Sequence, residues 1–296
     1  MKQHTIRFGP AGNSASFYNA GHKSTLEMPA WVAAMSLNAF EYSFGRGVRL
    51  SDKLAGEIGE KAKEYDVQLS VHMPYYINLA TDDPEKQANT KRYFLQSMRA
   101  ARFIGATRGV FHPGTAGAAT GPQRRAAFER AYQLFRSFLK EFAELEDFQG
   151  FTLCPETMGK LNQLGDLDEI LAICNLDKQL LPCIDFGHLH CRGLGAINTI
   201  HDYAAILDKT EKVLGVARAR NMHIHFSKIE FTKAGERMHR TFAEEGYGPD
   251  FAPLLELLAE RRYTPIIICE SNGTMAEDAL VMKKFYENYT KTRNSP

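Results

Sequence analysis

Residues 67–72 read VQLSVH, residues 108–112 RGVFH, and residues 151–156 FTLCPE. Each is a short apolar run that closes on a histidine or a glutamate. Three more runs carry such a residue at or near their C-terminal end: 181–185 (LPCID), 222–226 (MHIHF) and 265–270 (PIIICE). Two earlier runs, 6–9 (IRFG) and 37–42 (LNAFEY), bring the set to eight. Short runs rich in β-branched and aromatic residues read as strands. They lack a clean polar alternation, which suits strands covered on both faces.

The segments between these runs have helical period. Ser51 is placed to cap a helix whose stripe is Leu54, Ile58, Ala62 and Tyr65. Pro84 follows Asp83 at a first helical position. The segment 122–146 repeats Ala127, Ala131, Leu134, Phe138 and Phe142, and Thr274-x-x-Glu277 reads as a capping box that opens the last helix. Strand–helix alternation repeated eight times predicts a parallel sheet with helical crossovers. In 296 residues the expected fold is α/β, a single (β/α)8 TIM barrel occupying 1–296 as one domain. An open doubly wound sheet would want a glycine-rich phosphate loop, and neither G-x-G-x-x-G nor G-x-x-x-x-G-K-[ST] occurs.

A formal net charge of +1 leaves no global basic footprint, so any nucleic-acid binding has to come from a local patch. The five cysteines are odd in number and scattered, which argues against a zinc ribbon or a disulfide framework. Reduced thiols in a cytoplasmic protein are the expectation. No apolar signal core and no run long enough to span a bilayer is present. No obligatory protein partner is evident.

The strand ends carry the chemistry. His72, His112, Glu156, Asp185, His223 and Glu270 recur about once per strand–helix unit. In a barrel, the C-terminal strand ends share one face, where active sites form. One such histidine reads as a satisfied core residue; six in phase read as a metal site, because six buried polar groups would otherwise each need a partner. Three imidazoles and three carboxylates suit zinc, manganese or iron. Six ligands exceed the three protein ligands of one catalytic zinc. Two ions are therefore expected, with Glu156 between them, the arrangement that phosphoester hydrolysis uses. Asp185-x-x-His188 adds a ligand one turn on, and Glu236 with His239 offers the rest of a third set. His225 faces the same side of its strand as His223, as a ligand, a supporting donor or a substrate contact. His4, His22, His190 and His201 show no such phase and read as structural or surface residues.

At these residues the chain resembles the endonuclease IV family of apurinic/apyrimidinic endonucleases. The matching segments are SVHMPYYINL (70–79), FHPG (111–114), PETMG (155–159), IDFGH (184–188) and CE (269–270). The resemblance implies a (β/α)8 barrel with zinc ions that hydrolyses the DNA phosphodiester 5′ to an abasic site, in base excision repair, and leaves a 3′-hydroxyl. It implies His72, His112 and Glu156 around one ion, and Glu156, Asp185, His223 and Glu270 around a second. His188 would hold a third, with Glu236 and His239 the nearest equivalents of the family's D-x-H. Two or three zinc ions are thus expected, with manganese acceptable at one site. Glu156 and Glu270 are the expected catalytic residues. Tyr75 would lie against the DNA, His225 would touch substrate, and Lys228 would join Lys160, Arg192, Lys233 and Arg237 in meeting phosphates.

The chain departs from the family pattern in three places. His223-Ile-His-Phe-Ser-Lys228 replaces H-x-N-D-x-K, Gly9 stands where a histidine is usual, and Glu41 is an additional carboxylate. The alternative is a xylose-isomerase-like sugar isomerase or epimerase, with one divalent metal held by Glu156, Asp185, His223 and Glu270. Glu41 and the near-neutral charge lean that way; His72 and the FHPG segment lean to the nuclease. A non-catalytic metal-binding barrel is the third reading.

Overall fold

Alternation along each strand decides what the ring of strands encloses. On β3 (Gln68–His72), Leu69 and Val71 join the main apolar core under the helices, so Ser70 and His72 point inward. The computed structural model describes residues 5–294. Within it β1 (Arg7–Pro10), β2 (Ala39–Ser43), β3, β4 (Arg108–Phe111), β5 (Thr152–Pro155), β6 (Cys183–Asp185), β7 (His223–Phe226) and β10 (Ile266–Cys269) are all parallel. They form two four-stranded arcs, β2-β3-β4-β5 and β1-β10-β7-β6. Single parallel bridges, Ala11 to Glu41 and Glu156 to Cys183, join the arcs into the expected (β/α)8 barrel.

Gly9 explains one seam. A Cβ there would lie 1.8 Å from the Ala39 carbonyl oxygen, so only glycine lets β1 and β2 approach closely enough to close the ring. Two small apolar clusters lie apart from the main core: Val110, Cys154, Leu181 and Cys183, and Ala39, Ile266 and Ile268 with Ala11 against them. They fill the lower interior, as barrel cores do. The upper interior is polar.

The helices form where their signals predict. Ser51 Oγ accepts from Leu54 N at 3.3 Å above the helix Asp52–Glu64. Asp83 accepts from Glu85 N at 2.9 Å and caps Pro84–Ile104. The helix expected over 122–146 runs from Gly121 to Phe142. The last helix, Met275–Asn294, is capped differently from expectation: Ala276 N donates to Ser14 Oγ at 2.9 Å, while Glu277 Oε2 is buried without a partner.

The segment after β7 is not a loop or a helix. It is an antiparallel hairpin, β8 (Lys228–Thr232) and β9 (Gly235–Arg240), outside the ring. Glu236 faces Phe231 and Met238 faces Glu230, which leaves Arg237 as an extra residue, a β-bulge. Residues three apart on a regular strand face opposite sides; the extra residue restores Glu236 and His239 to one side.

Candidate metal centre

Register determines which side chain tops each strand. Asp185 pairs with His225, and Cys183 pairs with His223. His225 is thus level with Asp185, and His223 lies one layer lower in the barrel. Beside β7, Ile268 pairs with His225, so Glu270, two residues on, caps its strand. The top layer comprises His72, His112, Glu156, Asp185, His225 and Glu270.

Glu156 sits at its centre, fully buried. Its two oxygens face different neighbours. Oε2 lies 3.2 Å from His72 Nε2 and 3.0 Å from His112 Nε2. Oε1 lies 3.1 Å from His225 Nδ1 and 3.4 Å from His188 Nδ1. Burial opposes a charge here, but His225, His112 and His188 outweigh it and hold the Glu156 carboxyl well below its usual range. Asp185 goes the other way: burial, with Glu270 and Glu156 close by, pushes its carboxyl up although His188 pulls it down. Asp185 Oδ1 accepts from His188 N at 2.7 Å, while Oδ2 is buried without a hydrogen bond, 3.4 Å from His188 Nδ1.

Backbone carbonyls orient two of the histidines. His72 Nδ1 donates to Met73 O at 3.0 Å, which turns Nε2 toward Glu156. His188 Nδ1 donates to Thr157 O at 2.9 Å, which turns Nε2 toward Glu236 Oε2 at 3.5 Å. A carbonyl can only accept, so the second nitrogen is free to present a lone pair, the usual arrangement around a bound metal. Three donor groups result, each with ligand atoms within 4.8 Å of one another: His72, Glu156, His225 and Glu270; Glu156, Asp185, His188 and Glu270; and His188, Glu236 and His239. The fit to a divalent cation rests on this nitrogen–oxygen donor chemistry, on crowded carboxylates, and on the orphaned Asp185 oxygen.

Three expected residues are elsewhere. His223 is not brought to Glu156 and Glu270; its Nε2 stands 3.1 Å from Glu41 Oε2. The cause is the strand period: among inward positions of β7, His225 is the upper one. Lys228 turns away from the cavity, and its ammonium donates to the carbonyls of Phe242 (2.7 Å) and Glu244 (2.8 Å). Arg192 is likewise spent on carbonyls of Met158, Lys160 and Gln163. Lys160 and Arg237 line the cavity, although Arg237 also pairs with Glu230.

Above the donor groups opens a cavity of about 830 Å³. Tyr75 is 57% exposed at its edge, its ring stacked on His112 with centroids 5.4 Å apart. Ser43, Gln163, Ser271 and Asn272 line it without having been singled out in the sequence. Glu41 was visible only as a charge in an otherwise apolar run. His190 donates to or accepts from Ile197 and His22 pairs with Glu27, both away from the cavity; His4 lies outside the described residues. Among the described residues no helix is long and apolar enough to cross a membrane.

The model of the xylose isomerase-like TIM barrel family matches residues 29–285. The chain belongs to that family. Within it, an uncharacterized protein of Methanocaldococcus jannaschii is 34% identical over 257 residues, covering 86% of this chain and 89% of that one. A probable endonuclease 4 of Aquifex aeolicus is 26% identical over 226 residues, covering 75% of this chain and 77% of its own length. Among solved structures, a D-tagatose 3-epimerase-like protein superposes with a TM-score of 0.69 at 20% identity, over 98% of both chains. Relatives of the chain are thus named as endonucleases, while proteins named as epimerases share its fold.

Proposed function

We propose that this barrel is a metal-dependent phosphodiester hydrolase of the endonuclease IV kind, acting on DNA that contains abasic sites. The observation that carries the reading is the two-faced carboxylate of Glu156. Its Oε2 meets His72 and His112 while its Oε1 meets His225 and His188. A single-metal isomerase has no use for His72 and His112. Two zinc ions would use them, with Glu156 available to both, and His188, Glu236 and His239 would hold a third, with manganese an acceptable substitute at one of them.

Bound divalent cations would lower the pKa of water and neutralise charge on the departing oxygen. The chain's own residues do the remainder. Glu270 is a carboxylate facing the cavity, and it takes or orients the proton of the attacking water. Asp185 helps hold the second ion. Tyr75 packs against the exposed sugar or neighbouring base at an abasic site, where the missing base makes extrusion cheap. Lys160 and Arg237 meet phosphates. DNA repair and five free thiols both suit a cytoplasmic protein.

The sugar-epimerase alternative draws on the fold likeness and on a group of Glu156, Asp185 and Glu270 that one metal would satisfy. A duplex with one tetrahydrofuran abasic analogue separates the two, because that analogue is cut by hydrolysis and not by β-elimination. The expected result is a single nick 5′ to the lesion with an extendable 3′-hydroxyl. Glu156→Gln should slow it by more than about 10³-fold, about 4 kcal/mol, and His112→Ala should abolish it. Epimerisation of free ketoses with no nick, unaffected by His112→Ala, overturns the proposal.

A further inference from the structure

Beneath the top layer, the interior holds a second group of polar side chains, of which the hydrolytic reading uses only His225, through its upper nitrogen. Glu41, His223, His225 and Cys183 are all fully buried. They come from three strands, β2, β7 and β6, and the register pairs Cys183 directly with His223. A nitrogen of each histidine and the Cys183 sulfur lie within 4.8 Å of one another.

The contacts within this group are close ion pairs whose angles are poor for hydrogen bonds. Glu41 Oε1 stands 3.0 Å from His225 Nε2, and Glu41 Oε2 stands 3.1 Å from His223 Nε2. Yet Glu41 Oε1, His225 Nε2 and both nitrogens of His223 have no hydrogen-bond partner. Those four are among ten buried unpaired side-chain atoms in the described residues. Only Ser70 satisfies the carboxylate conventionally, donating to Oε2 at 2.7 Å. Buried polar atoms without partners are costly and rare. Imidazole nitrogens and carboxylate oxygens crowded to about 3 Å with poor hydrogen-bond angles are also how ligands gather around a shared cation. Tetrahedral ligands at zinc's 2.0–2.1 Å stand roughly 3.3 Å apart, close to the spacing seen here.

We propose that Cys183, His223, His225 and Glu41 hold a divalent cation of zinc's preference in the barrel interior, one layer below the cavity. Thiolate, imidazole and carboxylate around one point are a zinc donor set, and no water is needed to complete it. On binding, the Cys183 thiol gives its proton to solvent and its sulfur bonds the ion. Substrate cannot reach a site this deep, so the ion is structural. It also fixes His225: with Nε2 on the ion, Nδ1 keeps the ring hydrogen and donates to Glu156 Oε1 at 3.1 Å, with Glu270 Oε1 at 3.3 Å beside it, so this ring supports the upper ions through Glu156 instead of ligating them. The site is assembled from departures: Glu41 and His225 are among the residues that break the family pattern. It stands whatever substrate the cavity takes, so failure of the nicking assay leaves it untouched.

Cysteine makes the site readable, because none of the three upper donor groups contains sulfur. The full-length protein would be produced in cobalt-supplemented medium, so that even a buried site fills during folding. Expected is a thiolate-to-cobalt charge-transfer band in the near ultraviolet, lost in Cys183→Ser and retained in Cys191→Ser. Metal counting should show one equivalent fewer in Cys183→Ser and in His223→Gln. The absence of the band in the cobalt-loaded parent protein overturns the proposal without recourse to any variant. So does a band that survives Cys183→Ser, or an unchanged metal count in that variant with its circular dichroism intact.

Discussion

His72 makes the competition between protons and metal explicit. Burial favours its neutral ring, but the Glu156 carboxylate at 3.2 Å, with Glu41 and Glu270 behind it, raises its pKa to about 9. In metal-stripped protein a proton therefore occupies the nitrogen that would ligate an ion. Loading zinc at pH 7.5 should release that proton, measurable in weakly buffered solution. The folded pKa lies above the unfolded value of about 6.5, so the pair's contribution to stability is complete below pH 6.5 and fades as pH rises through 9. Stripped protein should lose melting temperature across that window, and His72→Gln should flatten the loss. A stripped protein whose melting point is level from pH 6.5 to 9 contradicts the assignment.

At the scale of elements, the hairpin β8–β9 deserves a test by deletion. Removing Arg237 would erase the bulge, and Glu236 would then turn to the opposite side from His239. The expected outcome is loss of one metal equivalent with little change in fold, whereas Arg237→Ala should keep the ion. Retention of every ion in the deletion variant would remove Glu236 from the third set. This hairpin also shows where sequence reading stops. The eight barrel strands were legible because short apolar runs rich in β-branched and aromatic residues recur after each helical segment, each covered on both faces. The spacing of Glu236 and His239 was legible too, but not the bulge that makes it work, since Glu236, Arg237 and Met238 include no glycine or proline to mark it. His223 and His225 look equivalent in one strand, and only pairing with Cys183 and Asp185 distinguishes their depth. Lys228 looked like a phosphate ligand because a charge says nothing about which carbonyl lies within reach. Glu41 shows in the sequence as a charge in an apolar run, but its histidine partners on β7 are brought to it only by closure of the ring.

Across the whole molecule, the apolar core surrounds the ring and the polar groups fill its upper half. Carboxylates packed together there repel one another unless cations are present, and an ion bound only by the folded chain stabilises it by mass action. Exhaustive chelation should lower the melting temperature and abolish activity together, and an unchanged melting curve after verified removal would count against the cluster. Closure of the ring makes a second demand. Gly9→Ala would drive a methyl group into the Ala39 carbonyl at 1.8 Å. That contact is backbone and cannot step aside, so a loss of several kcal/mol is expected, on the order of severe overpacking, read in denaturant melts. His188 stands on the first turn after β6, whereas Glu236 and His239 ride on the hairpin outside the ring. An ion held by all three would act as a rivet between the barrel wall and an appendage. Draining it would leave the wall standing and the appendage free to swing, so a protease offered the stripped protein should cut first near Lys233 and Arg237, at the tip and arm of that hairpin.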